Sequence, residues 1–325
     1  MAVKILYDVI KEKRSELGLS QQELSNQSGV NINIIKALET GRTNTTKVNT
    51  RQIVNILGLD IDEIYIEDFR DTKVIAIANN KGGSSKTSVC SGLGYALSEI
   101  KGNRILLIDA DMQMNLSYSF GFDRNEKVSL DAALRKEESL LNYIHKTSIE
   151  NIDIIISDFR MATMEMAMFQ KTLRETVFAR LLKPVINAGI YDYIIIDTNP
   201  TLGMLNHNVL NASDHVIIPV ELSIFGLKGL EIILNFIDEV KVINNNLNIL
   251  GVLKTKVDVR ESVTQKADNI LTEEVGELVL NTSIAVDTNI KKSQWECDPT
   301  LLFKINSRGA DQYRDLAKEV IKVVR

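Results

Sequence analysis

The chain has 325 residues, of which 44% are hydrophobic and 25% charged, and its formal net charge is −5 at pH 7. These values are typical of a globular protein with about two domains, and they exclude a surface that is positive all over. A local basic face for DNA remains possible. Cys90 and Cys297 lack metal-ligand or disulfide spacing, which fits a reducing cytoplasm. The charged first residues and the absence of an apolar run of roughly 20 residues indicate neither a signal peptide nor a membrane span.

The first 66 residues carry apolar side chains at helical spacing, which predicts a bundle of short helices. The apolar positions are Ile5, Val9, Ile10, Leu24, Ile34, Ile35, Leu38, Ile53, Val54 and Leu57. Ser20, with Glu23 three residues later, predicts a capping box at the start of one helix. Gly29 is expected to end that helix, Asn31 to cap the next one, and Gly41 to end it.

The pattern changes at Lys73, after a charged segment over residues 67–72 that we interpret as a linker. Runs rich in β-branched residues then alternate with helical patterns. The runs lie at residues 74–80, 104–111, 152–157, 193–197, 215–220, 249–255 and 278–284. Continuous apolar strands that alternate with helices indicate an α/β domain over residues 73–325, with a mainly parallel sheet covered by helices on both faces.

Residues 81–88 read KGGSSKTS and follow the first of these runs. A strand, a turn of small residues and Lys-Thr at the start of a helix form a P-loop, in which backbone N–H groups hold a phosphate. Lys86 is expected to reach the β/γ oxygens of ATP, and the Thr87 hydroxyl to bind Mg²⁺. Asn80 and Ser85 replace the glycines of the general pattern, so only the narrower form K-G-G-x-x-K-[ST] is matched. The alternative is a Gly-Ser turn with solvated lysines.

Two further runs end in carboxylates. Asp109 and Asp111 follow the second strand, and Asp197 ends the strand at 193–197. Because a buried, unpaired carboxylate is costly, these residues point to a functional site rather than to ordinary strand-end aspartates.

Taken together, these motifs resemble the ParA group of deviant Walker A ATPases. DADMQMN (109–115) is similar to its D-x-D-P-Q-x-N switch segment, and 193–197 to its Walker B strand. Further similarity lies at residues 200–230, 251–260 and 305–320, so the resemblance covers residues 73–325. MinD is a poorer match because no separate amphipathic tail follows the last helix. Met112 replaces the family's switch proline, and Asn199 replaces another family proline, which affects the expected hydrolysis rate more than nucleotide binding.

The resemblance implies an ATP-sandwich homodimer in which Lys81 crosses to the partner's phosphates. Lys81, Lys86 and Asp111 would be catalytic, with Asp111 positioning the attacking water. The metal site would involve Thr87, Asp109 and Asp197. The implied nucleotide-binding residues are Lys81, Gly82, Gly83, Ser84, Ser85, Lys86, Thr87, Ser88, Thr255 and Asp258.

Residues 19–42 resemble the lambda-repressor-like helix-turn-helix. The second of its helices would enter the major groove. The implied DNA-binding residues are Gln21, Gln22, Asn31, Asn33, Lys36 and Arg42. A helical dimerisation domain without DNA contact is the alternative. For nonspecific DNA binding, the family often has an arginine where this chain has Asn289. Lys291, Lys292 and Arg260 are substitutes, or else ordinary surface residues.

The expected function is therefore a slow Mg²⁺-dependent ATPase that segregates a plasmid or other mobile element and binds its own operator. We expect a ParB-like centromere-binding partner and a cytoplasmic, nucleoid-associated protein. One alternative is a nucleotide-sensing transcriptional repressor with little ATP turnover. Another is a positioner of conjugation or chemotaxis machinery.

Overall fold

The computed structural model describes residues 3–67, 69–123, 128–258, 260–304 and 307–324. The chain forms two compact units, Met1–Asp71 with Val185–Ile190, and Thr72–Pro184 with Tyr191–Arg325. Asp68 in the predicted linker, Val259 in the 251–260 motif, and Ile305 and Asn306 in the last motif lie outside the described residues. The exact domain boundaries, 1–66, 67–72 and 73–325, stay a prediction.

The N-terminal unit consists mainly of short helices. In chain order its elements are β1 (Val3–Ile5), α1 (Tyr7–Glu16), α2 (Gln21–Ser28), α3 (Ile32–Glu39), α4 (Lys47–Leu57), α5 (Ile61–Ile64) and β2 (Tyr65–Glu67). The antiparallel pair of β1 and β2 was not predicted. Ile5, expected on a helix, lies in β1, because three residues are too few to show the alternation that marks a strand.

The ends of α2 and α3 agree with the prediction. Ser20 and Glu23 form a capping box at the start of α2, and Gly29 closes the helix at φ = +72°. The Asn31 side chain caps α3, and Gly41 follows its end at φ = +65°. The helices pack around a core that includes Ile10, Leu24, Val30, Ile35, Leu38, Ile53, Val54 and Leu57. Local capping therefore fixes the turn between α2 and α3.

The second unit alternates strands and helices. Its first half contains β3 (Lys73–Ile77), α6 (Lys86–Ser98), β4 (Ile105–Ala110), α7 (Asn115–Ser119), α8 (Leu130–Lys136), β5 (His145–Lys146), β6 (Ile152–Ile155), α9 (Met164–Phe169) and α10 (Val177–Ala188). Its second half contains β7 (Tyr193–Thr198), α11 (Met204–Asn211), β8 (His215–Glu221), α12 (Ile224–Lys241), β9 (Asn248–Val257), α13 (Ser262–Val275), β10 (Val279–Ala285), α14 (Thr288–Trp295), α15 (Thr300–Lys304) and α16 (Arg308–Val324).

These strands form one eight-stranded sheet in the order β10-β9-β8-β3-β7-β4-β6-β5. Every pairing is parallel except that of β5 with β6, which confirms the predicted mainly parallel sheet. Ile77 pairs with Asp197, and Asp197 pairs with Asp109. The carboxyl ends of β3, β7 and β4 are thus level with one another. Open parallel sheets bind ligands at such an edge, where the chain leaves neighbouring strands in different directions.

Both faces of the central strands are buried. Ile75 and Ile77 of β3 belong to a large core with side chains of α6 and α16. Val74 and Ala76 alternate with them and are also buried, so they face the opposite side of the sheet. Among the described residues, no helix combines the length and the apolar composition needed to cross a bilayer.

Candidate functional site

The turn between β3 and α6 has a conformation suited to an anion. Gly83 and Ser85 take positive φ angles of 74° and 73°. Val89 makes the first helical hydrogen bond, from its N–H to Ser85 O at 2.9 Å. The N–H groups of the residues between Ser85 and Val89 therefore have no partner inside the helix and can hold a phosphate. Ser85 adopts a left-handed conformation that an L-residue takes at some cost in free energy, where the general P-loop pattern has glycine.

Lys86 and Thr87, the first residues of α6, take defined positions beside this turn. Lys86 Nζ donates to the backbone oxygen of Lys81 at 3.4 Å, so its side chain folds back over the loop. Thr87 Oγ1 donates to Asp197 Oδ2 at 2.7 Å. The other oxygen, Asp197 Oδ1, is buried and has no hydrogen-bond partner in the described part of the chain. A hydroxyl and an unsatisfied carboxylate oxygen at the foot of a phosphate loop suit the hydration shell of Mg²⁺.

Asp109 and Asp111 organise the segment that follows β4. Asp109 Oδ2 accepts hydrogen bonds from the N–H and the hydroxyl of Ser117, at 2.8 and 2.7 Å. Asp109 Oδ1 accepts from the N–H of Asp111 at 3.1 Å, and Asp111 Oδ1 accepts from that of Gln113 at 3.0 Å. Asp109 thus anchors the switch segment to α7. This favours Asp197 over Asp109 as the carboxylate beside the metal.

The three carboxylates and Lys86 influence one another's ionisation. Burial raises the pKa of Asp109 to about 6. Burial, reinforced by the charge of Asp109, raises the pKa of Asp197 well above its usual range. Burial also raises the pKa of Asp111 and lowers the pKa of Lys86, although the charges of Asp197 and Asp111 oppose the change in Lys86. A buried cluster of this kind favours the arrival of a cation.

A cavity of about 910 Å³ opens over the turn. Its wall includes the predicted residues Gly82, Gly83, Ser84, Ser85, Lys86, Thr87, Ser88 and Asp111. Other lining residues are Met112, Asn199, Pro200 and Thr201. The volume lies within the range of small-molecule sites. The structure thus brings most of the predicted phosphate-loop residues to one cavity.

Three predicted residues are placed elsewhere. Lys81 turns away from the cavity, and its Nζ donates to Glu221 Oε2 at 3.2 Å. Thr255 is buried and contacts the carbonyl oxygen of Ser84 at 3.4 Å, so it supports the loop from behind. Asp258 accepts hydrogen bonds from the guanidinium of Arg260. Neither Thr255 nor Asp258 belongs to the cavity wall.

Another part of the cavity wall is built by residues that the sequence did not indicate. Lys256, which lies between the predicted residues Thr255 and Asp258, lines it together with Asp287, Ile290 and Gln294. Gln294 Nε2 donates to Ser88 Oγ at 2.7 Å and so ties α14 to the start of α6. Only the predicted parallel sheet could have indicated these residues, because the carboxyl ends of β9 and β10 lie at the same edge as that of β3.

The residues proposed for nonspecific DNA binding differ in their surroundings. Lys291 and Lys292 are both exposed on α14, and Lys291 also lines the cavity. Arg260 is exposed, but Asp258 pairs with its charge. Trp295, also on α14, is 86% exposed. The role of Lys291, Lys292 and Arg260 in DNA binding stays a prediction.

In the N-terminal unit, a polar surface lies on α2 and α3. Gln22, Asn31, Asn33, Lys36 and Arg42 are exposed, and we call them the reading surface. Asn31 Oδ1 accepts a hydrogen bond from the N–H of Asn33 at 2.8 Å, so part of its side chain is used in capping. Gln21 is half-buried, and its Nε2 donates to Glu39 Oε2 at 2.8 Å. The amide group of Gln21 is therefore engaged within the unit.

A bidentate ion pair underlies this surface. Arg14 donates to both oxygens of Glu39, at 2.6 and 2.9 Å, and also to the backbone oxygen of Leu19 at 2.6 Å. The Glu39 side chain is 1% exposed. The pair joins α1 to α3 and was missed because the two residues lie 25 positions apart.

Comparison with known proteins agrees with this geometry. An AAA domain family matches residues 72–249, and a helix-turn-helix domain family matches residues 8–66. The sporulation initiation inhibitor protein Soj of Bacillus subtilis is 36% identical over 250 residues, which cover 76% of this chain and 98% of Soj. The chromosome partitioning protein ParA of Caulobacter vibrioides is 32% identical over 251 residues, which cover 77% of this chain and 94% of that protein.

A solved structure is similar as well. The cobyrinic acid a,c-diamide synthase from Mycobacterium smegmatis, crystallised with an ATP analog and magnesium, superimposes with a TM-score of 0.67 at 30% identity. The similarity covers 77% of this chain and 95% of that one. The P-loop turn, the parallel sheet and these relatives lead to one conclusion. The chain belongs to the ParA/Soj family of P-loop ATPases and carries a helix-turn-helix domain at its N-terminus.

Proposed function

We propose that this chain is a Mg²⁺-dependent ATPase that partitions a plasmid or another mobile element. The observation that carries the proposal is the convergence of Lys86, Thr87, Asp111 and Asp197 at one edge of the sheet, around a phosphate loop and a cavity of about 910 Å³. The similarity to Soj and ParA supports it from another direction.

ATP is the proposed ligand, with its phosphates at the N-terminus of α6. Lys86 would neutralise the β/γ oxygens, and Thr87 with Asp197 would hold the magnesium ion. The bound ion supplies charge neutralisation at the phosphates. Asp111 lines the cavity, and its proposed role is to orient the attacking water molecule. The pKa of Asp111 is raised by burial, and the nearby charge of Lys86 opposes that change.

Dimerisation would give Lys81 its proposed role at the phosphates. In the proposed sandwich, the Lys81 side chain releases Glu221 of its own chain and contacts the phosphates bound to the second copy. Two triphosphates facing each other repel strongly unless cations from both copies lie between them. The homodimer is also the form that we expect to bind nonspecific DNA. A ParB-like partner would stimulate its ATP hydrolysis.

The N-terminal unit would recognise specific DNA, including the chain's own operator. The reading surface presents amide groups and two cationic side chains, which are the groups that hydrogen-bond with base edges and phosphates. The net charge of the whole chain is −5, so DNA contact would be restricted to such local faces. We place the protein in the cytoplasm, on the nucleoid.

Isothermal titration calorimetry with ATP and Mg²⁺ tests the nucleotide site. Lys86→Ala should abolish binding because it removes the lysine that faces the β/γ-phosphates. Lys101→Ala, which removes an exposed lysine beyond the other end of α6, is the matched control and should bind like wild type. Unchanged ATP affinity in Lys86→Ala would contradict the site. Phosphate release by wild type and Lys86→Ala, measured under the same conditions, tests for hydrolysis.

A further inference from the structure

Lys256 is an extra residue near the end of β9, at a shift in the pairing of this strand with β10. Ile284 of β10 lies opposite Thr255. The next residue, Ala285, lies opposite Val257, so Lys256 has no counterpart in β10. The backbone of Lys256 takes a φ of +53°, in the left-handed region. A β-bulge re-aims a side chain, and a left-handed residue with a Cβ atom is strained. The chain therefore accepts strain to direct one lysine.

The bulge brings two consecutive residues to the phosphate loop. Neighbouring residues of a regular strand face opposite sides of the sheet, so only one of them could contact the loop. Here the Thr255 hydroxyl contacts the carbonyl oxygen of Ser84 at 3.4 Å. Lys256 Nζ lies 3.9 Å from the point that a Cβ atom on Gly83 would occupy. The ammonium group is thus placed at the loop itself.

This ammonium group is open to the cavity over the loop. The Lys256 side chain is 48% exposed and belongs to the cavity wall. Apart from Gly83 and its chain neighbours, no other atom of the described chain comes within 4 Å of the same Cβ point. The surface over Gly83 is therefore free for a ligand, and a ligand there would meet the ammonium group.

The charge around Lys256 favours an anion. Lys256 Nζ lies 4.0 Å from Glu221 Oε2, and Lys81 Nζ lies 3.2 Å from the same oxygen. One carboxylate thus faces two ammonium groups, which leaves an excess of one positive charge beside the phosphate loop. An anion bound at the loop is attracted by this excess.

We propose that the Lys256 ammonium group binds the phosphates of the nucleotide held by the loop of the same chain. This inference rests on the proposed ATP site and adds a cation from β9 to Lys86 from α6. An ammonium group has three donors, so it can contact Glu221 and a phosphate oxygen together. When Lys81 crosses to the second copy, Lys256 remains as a second cation for the phosphates of its own chain.

The test compares wild type with Lys256→Gln by titration calorimetry. ATP affinity should fall about tenfold, near the lower end for the loss of a hydrogen bond with a charged group, because the side chain is half exposed. Affinity for inorganic tripolyphosphate should fall by the same factor, since the lysine contacts only phosphates. Lys256→Arg keeps the charge and should retain most of the affinity.

Lys254→Gln is the matched control. Lys254 lies on the same strand, pairs with Asp268 at 3.1 Å and is not part of the cavity wall. This variant loses the same charge and should bind ATP like wild type. An equal loss of affinity in Lys254→Gln and Lys256→Gln would contradict a contact at the loop.

Lys256→Gly separates binding from folding. Glycine takes the left-handed conformation without strain, so the unfolding temperature without ligand should equal or exceed that of wild type. ATP affinity should nevertheless fall as in Lys256→Gln. A lower unfolding temperature in Lys256→Gly would assign the lysine a structural role instead.

The Lys81→Ala background tests whether the contact is made within one chain. Lys81→Ala should bind ATP without forming the dimer, so adding Lys256→Gln should still lower ATP affinity about tenfold. If the loss appears only where the dimer forms, Lys256 acts on the nucleotide of the second copy and the inference is wrong.

Two further results would overturn the inference alone. One is equal ATP affinity in wild type and Lys256→Gln. The other is a loss for ATP without a loss for tripolyphosphate, which would place the lysine at the nucleoside. If wild type binds no ATP, or Lys86→Ala binds it as wild type does, the proposed function fails, and this inference fails with it.

Discussion

Lys81 Nζ lies 3.2 Å from Glu221 Oε2, so the lysine that distinguishes this P-loop is paired within its own chain. Ser223 Oγ accepts a second, longer hydrogen bond from the same nitrogen at 3.4 Å. Lys256 Nζ lies 4.0 Å from the same Glu221 oxygen. Lys81 can therefore leave Glu221 while Lys256 remains to balance the carboxylate. The proposed dimer requires this exchange.

The first prediction concerns the separate roles of Lys81 and Asp111. Lys81→Ala should bind ATP but dimerise poorly, because the opposed triphosphates lose a neutralising cation. Asp111→Ala should bind ATP and dimerise, while hydrolysis falls and the dimer accumulates. Light scattering with ATP measures the mass of each variant.

A monomer mass for Lys81→Ala and a dimer mass for Asp111→Ala would support the sandwich mechanism. If both remain monomeric, or both dimerise like wild type, the sandwich mechanism is wrong for this chain. A nucleotide-sensing repressor with little turnover would then describe it better, and the replacements Met112 and Asn199 would fit that role.

The second prediction concerns the reading surface. Lys36→Ala and Asn33→Ala should each weaken binding to the operator by about 1–3 kcal/mol if their side chains contact base edges. Both residues are exposed on α3. Footprinting of the full chain on its own upstream DNA locates the site, and titration measures the loss.

Lys11→Ala makes the same charge change as Lys36→Ala, but at an exposed position on α1 outside the reading surface. Its affinity for the operator should stay close to that of wild type. Equal losses in Lys11→Ala and Lys36→Ala, with no loss in Asn33→Ala, would indicate general electrostatic attraction instead of base contact. The absence of a protected site upstream would count against autoregulation.

The third prediction concerns the ion pair between Arg14 and Glu39. Arg14→Ala should destabilise the N-terminal unit by about 3 kcal/mol, because it leaves the carboxylate of Glu39 buried without its cation. Lys13→Ala breaks a neighbouring pair with Glu16, whose side chains are 38% and 65% exposed. An exposed pair of this kind contributes only about 0.5 kcal/mol. Calorimetric unfolding of both variants compares the two losses, and similar losses would contradict the role of the buried pair.

The same pair predicts how this stability depends on pH. Burial disfavours the charged form of Glu39, but hydrogen bonds from Arg14 and Gln21 outweigh it and hold the pKa of Glu39 below its ordinary 4.5. The folded unit then gives up this proton more readily than the unfolded chain. The stabilisation is complete above pH 4.5 and is lost as the pH falls below it, through the pKa of the folded state. Glu39→Gln should reduce this loss in acid unfolding curves.

The fourth prediction concerns the phosphate loop. Ser85→Gly should raise the free energy of unfolding by about 1 kcal/mol, because it removes the cost of a left-handed conformation at a residue with a Cβ atom. Denaturant unfolding measures this change. Ser88→Gly, in the first turn of α6, is the control and should destabilise instead, because glycine is a poor helix former and the hydrogen bond from Gln294 is lost. A loss of stability in Ser85→Gly would mean that the Ser85 side chain makes a needed contact.

The sequence predicted those parts of the site that lie within one local segment. The P-loop turn and the caps at Ser20 and Gly29 were identifiable because each depends on residues a few positions apart. Gln294 lies 206 positions from its partner Ser88, and only the order of the parallel strands brings them together. Gln21 was predicted on the reading surface, but the buried Glu39 engages its amide, and no local pattern shows that contact.

The chain contains a single tryptophan, Trp295, and it lies on α14 immediately after Gln294, which lines the cavity. All tryptophan fluorescence of the protein therefore comes from one position at the rim of the proposed nucleotide site. Because the indole is 86% exposed, its emission in the free protein should be that of a water-exposed ring. A blue shift or a change in quenching by iodide on adding ATP would report that α14 has moved or become covered, and no label would be needed.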